Sequence, residues 1–145
     1  MVTRRALLGA GALALLAGCG PPEAAVVDKS AVLDEQLRLT QAAVAAYGDA
    51  AGDLKTSAMV RARELREAGA RAEPTPAGPT GLAAALAAES AALRGHVAAV
   101  GQLADREDRE LLARLVSGAA TNESALLERL DRPAIPTAFP GEPQR

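Results

Sequence analysis

Apolar residues recur along this chain at alternating steps of four and three. The first run is Leu33, Leu37, Thr40, Val44, Tyr47, Ala51, Leu54 and Ala58. A second is Leu82, Leu86, Glu89, Leu93, His96, Val100 and Leu103. A third is Leu112, Val116, Ala119, Glu123, Leu127 and Leu130. That spacing is the α-helical period, and each run predicts one buried helical face. Breakers divide the runs. Gly48, Asp49, Gly52 and Asp53 interrupt the first, which predicts a tight reversal with Asp53 capping a second helix to about Ala70. A single kinked helix is the alternative. Glu73-Pro74-Thr75-Pro76-Ala77-Gly78-Pro79 is incompatible with helix. Ser30 and Thr80 are the expected N-caps of the first and third helices. Asp105 and Asp108 mark the start of a fourth, ended by Pro133 and Pro136. The expected fold is all-α: an up-down antiparallel four-helix bundle over residues 30–131, with a Pro-rich connection at 73–80.

Composition agrees with helices and disfavours strands. The chain has one Tyr, one Phe and no Trp. The core is therefore built from Leu, Val and Ala, which suits closely packed helices. The Arg- and Glu-dense segment Arg61 to Arg71 reads as a solvated face laced with i,i+3 and i,i+4 pairs.

The first twenty residues follow a different logic. Arg4 and Arg5 precede an uncharged run of small and apolar residues from Ala6 to Gly18. That run is shorter than the roughly 20 residues a spanning helix needs. Leu16-Ala17-Gly18-Cys19 resembles the lipobox of bacterial lipoproteins, in which cysteine is acylated and becomes the first residue after cleavage. Thr3-Arg4-Arg5-Ala6-Leu7-Leu8 resembles a twin-arginine export signal, with Leu7 where an aromatic is usual. A buried N-terminal helix or an uncleaved anchor is the other reading of this stretch. The resemblance implies a signal peptide at 1–18 and an acylated cysteine with a flexible tether at 19–29. It also implies anchoring at the extracytoplasmic face of the cell membrane. Residues 132–145 form the expected disordered, Pro-rich tail.

Removing residues 1–18 leaves 127 residues and takes Arg4 and Arg5 away, so 14 basic residues face 18 acidic ones. No basic patch dominates, which argues against nucleic acid as a partner. Cys19 is the only cysteine, so no intramolecular disulfide is available.

LDEQLRLTQAAVAAYGDA at 33–50, GLAAALAAESAALRGHVAAVG at 81–101 and TNESALLERL at 121–130 resemble a ferritin-like domain of actinobacterial envelope proteins. In that family, Glu residues and Glu-x-x-His motifs on facing helices hold two metals. This chain departs from the pattern. Glu89 is followed three residues later by Ala92, Glu123 by Leu126, Glu35 by Arg38 and Glu64 by Glu67. No Glu-x-x-His occurs.

Two functions follow as expectations. The first is a non-enzymatic, lipid-anchored bundle with a binding or structural role, an envelope protein as partner and no cofactor. The second is a divergent metal protein using Glu35, Glu89, His96 and Glu123, which requires those four side chains to converge. On the first reading, Glu89 and His96 sit at the edge of their stripe and reach water, and the hydroxyl of Tyr47 lies at the rim. His96 is the only histidine, and no Gly-x-Ser-x-Gly elbow surrounds a serine, so a Ser-His-Asp triad has no support.

Overall fold

The computed structural model describes residues 27–74, 76 and 78–133. The signal residues Arg4, Arg5, Leu16, Ala17 and Gly18, the acylation site Cys19, and all of the tail after Pro133 lie outside the described residues. The described residues form four helices: α1 (Lys29–Tyr47), α2 (Gly52–Glu67), α3 (Leu82–Val100) and α4 (Arg106–Arg129). No strand occurs among the described residues. None of the described helices is long and apolar enough to cross a membrane.

The caps differ from expectation. Asp28, not Ser30, caps α1: its side chain accepts from the Ser30 amide at 2.9 Å. Ser30 lies inside the helix and adds its own hydroxyl to the same oxygen at 2.9 Å. These bonds favour the ionised form and hold the Asp28 carboxyl below its ordinary value. Ala51, in the left-handed region at φ 50°, occupies the N-cap of α2 without a side-chain bond. Asp53 sits instead in the first turn and pairs with Arg129 at 2.8 Å. Gly81, not Thr80, precedes α3, and Asp105 precedes α4 without a side-chain cap. After α2, the Ala70 amide bonds the Leu65 carbonyl at 3.0 Å around Gly69 at φ 108°. This closing geometry needs a residue free to take positive φ.

Four tertiary contacts set the helix directions. Lys29 pairs with Asp108 at 2.7 Å, so α1 and α4 begin at one end, here called the lower end. Arg129 pairs with Asp53 at the other end. The Arg71 amide reaches the Asp34 carboxylate at 2.6 Å, low on α1. The Gly81 amide bonds the Ala46 carbonyl at 2.8 Å, high on α1. The connection between α2 and α3 therefore climbs the length of α1 before α3 descends. Here the expectation is corrected. The helices run up, down, down, up, and α3 is parallel to α2 instead of antiparallel. α1 and α4 each pack on both α2 and α3, while the diagonal pairs do not pack. A Pro-rich segment marks a break in helix; it does not state whether the chain turns back at once or crosses over.

Two apolar clusters fill the bundle. The lower one centres on Leu33, Leu37, Leu65, Leu111, Leu112 and Leu115. The upper one centres on Tyr47, Leu54, Leu86, Leu126 and Leu127, with alanines between them. Leu93, expected in the core, is only half-buried. On α4 the buried face includes Leu111, Leu115, Asn122 and Leu126, so it is rotated from the expected Val116–Glu123–Leu130 line.

Candidate functional site in the bundle core

Between the two apolar clusters lies a belt of buried polar side chains contributed by all four helices. α1 supplies Gln36, Thr40 and Tyr47, α2 Arg61, α3 Glu89 and His96, and α4 Asn122. Arg61 is 4% exposed, and Glu89 and His96 are 0%. Three expectations are corrected here. Arg61 does not belong to a solvated face. Glu89 and His96 are closed off from the bulk solvent. The Tyr47 hydroxyl is interior and not at a rim.

The physical reason is pairing. Arg61 Nη2 donates to both carboxylate oxygens of Glu89, at 2.6 and 2.8 Å. The Tyr47 hydroxyl donates to Glu89 Oε1 at 2.9 Å. Asn122 Nδ2 lies 2.8 Å from the same oxygen, 3.1 Å from the Tyr47 hydroxyl and 3.0 Å from the Leu54 carbonyl. A charge buried in a low-dielectric interior is tolerated when a counter-charge and hydrogen bonds satisfy it. Glu89 has both. The pair also requires space: a Cβ on Gly118 would stand 2.8 Å from Arg61 Cδ, so the glycine of α4 admits the arginine stem.

Below this pair, His96 Nδ1 lies 2.8 Å from Gln36 Oε1. An amide oxygen only accepts, so Nδ1 carries the proton and Nε2 bears a lone pair. Gly95 permits this approach of α3 to α1, since a Cβ there would stand 2.3 Å from Leu39 Cδ1. Thr40 returns its hydroxyl to the Gln36 carbonyl at 2.9 Å. Burial, followed by the positive charge of Arg61, lowers the His96 pKa to about 4. Burial and then the negative charge of Glu89 push the Tyr47 hydroxyl well above its ordinary value. Arg61 Nε, Arg61 Nη1 and His96 Nε2 are buried and have no hydrogen-bond partner among the described residues. Each buried donor or acceptor left in that state costs about 1–3 kcal/mol.

The four residues of the metal expectation are not brought together. Glu35 is exposed on α1 and paired with Arg38. The Glu123 carboxylate accepts from the Ser90 hydroxyl at the edge of α3 and α4. Glu89 is closed off by Arg61, Tyr47 and Asn122, and His96 is turned to Gln36. Among the described residues, no group of three or more His, Cys, Asp or Glu is placed to hold a metal ion. The belt's chemistry is that of an internally neutralised ion pair. A metal at Glu89 would have to displace the guanidinium.

Sequence reasoning missed Arg61, Gln36 and Asn122. For Arg61 the signal was present: Leu54, Ala58, Arg61 and Leu65 continue one stripe at steps of four, three and four. Gln36 and Asn122 carried no comparable mark. Compared with protein-family models, curated proteins and solved structures, the chain matches none of them.

Proposed function

We propose that this chain is a lipid-anchored protein of the cell envelope whose bundle serves a non-enzymatic binding or structural role, on a ferritin-like scaffold that has exchanged metal for an arginine. The observation that carries the reading is the Arg61–Glu89 pair. A carboxylate facing the centre of a four-helix bundle is where a metal protein of this architecture binds its ions. In this chain that carboxylate receives a guanidinium at 2.6 Å and two neutral donors. The side chain supplies the positive charge that a metal would supply. The single long crossover between α2 and α3 supports the ferritin-like part, because ferritin-like bundles have one such connection. The anchoring part rests on Leu16-Ala17-Gly18-Cys19 and the uncharged run before it.

Two measurements test the reading. Protein prepared without affinity tags should contain no stoichiometric metal and show no oxidase activity with ferrous iron; one or two equivalents of iron or manganese would overturn it. Cys19→Ala should abolish labelling by a radioactive fatty acid in cells, and unchanged labelling would remove the anchor. Crosslinking in intact cells then identifies the envelope partner.

A further inference from the structure

We infer that the polar belt is a hydration site inside the bundle, binding water at His96 Nε2 and at the open edges of the Arg61 guanidinium. Three buried atoms carry this: Arg61 Nε, Arg61 Nη1 and His96 Nε2 have no hydrogen-bond partner among the described residues. The two side chains cannot swing away to find one. Arg61 is pinned through Nη2 to Glu89, with its stem against Gly118. His96 is pinned through Nδ1 to Gln36, and the ring is fully buried. Dry burial of all three atoms would cost a large part of what a domain this size has to spare. Immobilising a water costs less than leaving the atom it satisfies unpaired.

The chemistry of the atoms selects the ligand. The guanidinium edges only donate, and His96 Nε2 only accepts. A cation on the imidazole would meet the charge of Arg61, which already opposes protonation of that ring. An added anion would be uncompensated, because Glu89 already neutralises Arg61. A neutral molecule that both donates and accepts is required, and it must be small enough for a packed interior. Water meets each condition, and proteins hold about one buried water per 27 residues, each making about three hydrogen bonds.

The test uses the full chain, labelled with 15N. Magnetisation transfer from solvent water to Arg61 Hε, persisting at times that mark a long-lived bound water, is the expected result. The His96 Nε2 resonance should carry the shift of an imidazole nitrogen that accepts a hydrogen bond. A crystal structure fine enough to show ordered water supplies the second readout. Density within hydrogen-bond distance of His96 Nε2 and of a free Arg61 nitrogen is expected. His96→Phe should lose the peak at the ring and keep the one at the guanidinium. No transfer together with empty density, a protein group closing on these atoms, or a metal or anion in place of water would each overturn the inference.

Discussion

The Arg61→Met substitution isolates the charge at the centre of the bundle. Methionine keeps an unbranched apolar stem against Gly118 and removes the guanidinium. Glu89 then retains the Tyr47 hydroxyl at 2.9 Å and the Asn122 amide at 2.8 Å, but no counter-charge. Removing one partner of a buried pair costs about 3–5 kcal/mol. The variant should therefore lose about 3–5 kcal/mol relative to wild type at pH 7. In the double variant Arg61→Met/Glu89→Leu the belt holds no charge, while Tyr47 and Asn122 keep each other and Asn122 keeps the Leu54 carbonyl. Its loss at pH 7 should be smaller than that of the single variant. Urea unfolding followed by circular dichroism, with each variant compared to wild type at the same pH, measures all of this. A single variant within 1 kcal/mol of wild type at pH 7, or a double variant that loses as much as the single one, would refute the reasoning.

Three further outcomes follow from the packing. Because His96 is held down to about pKa 4 in the fold against an ordinary value of 6.5, the unfolded chain binds the extra proton first as pH falls; its stability contribution is complete above pH 6.5 and is lost progressively toward pH 4. The loss is on the order of 3 kcal/mol, and His96→Gln should flatten that part of the stability-pH profile measured by urea unfolding. Gly118→Ala places a Cβ 2.8 Å from Arg61 Cδ and should cost about 1–3 kcal/mol in melting experiments, with relief in an Arg61→Ala background. Leu112→Ala, at a site 0% exposed, should cost about 2–5 kcal/mol, whereas Leu93→Ala, at a half-buried site, should cost clearly less; equal effects would contradict the packing.

The helices were legible because their signals are local. The first stripe runs through Leu33, Leu37, Thr40, Tyr47, Leu54 and Ala58, all buried. The reversal at Gly48–Ala51 and the stop after Glu67 also come from nearby residues: Gly48 and Gly69 take φ 54° and 108°. The α4 face was misjudged because ELLARLVSG offers apolar residues on neighbouring faces, and Leu112 and Leu127 fit either choice. What periodicity does not encode is the partner of a buried polar side chain. Glu89 and His96 stood on the stripe, yet their placement depends on Arg61 and Gln36, 28 and 60 residues away in sequence. Arg61 was hidden by its neighbours, since Arg63, Arg66 and Glu67 do lie on the exposed face. Gly118 carries no local signal of its role either, since the side chain that needs its space comes from another helix.

The crossover between α2 and α3 also sets which contacts close the longest loop in folding. Each hairpin closes over a short turn, whereas docking one hairpin on the other must first close the crossover. By chain-closure entropy that longer loop costs only about 1 kcal/mol more than a four-residue turn. The penalty is small, but contacts of long sequence separation form late. Several bonds of the belt join one hairpin to the other: Arg61 and Tyr47 reach Glu89 from the first, and Asn122 reaches Leu54 and Tyr47 from the second, while the Asn122–Glu89 bond lies within the second. Tyr47 is the only tyrosine of a chain without tryptophan. Its ultraviolet absorbance and emission therefore report hairpin docking, while far-ultraviolet circular dichroism reports helix formation. A stopped-flow experiment that follows both signals separates the two steps without a label.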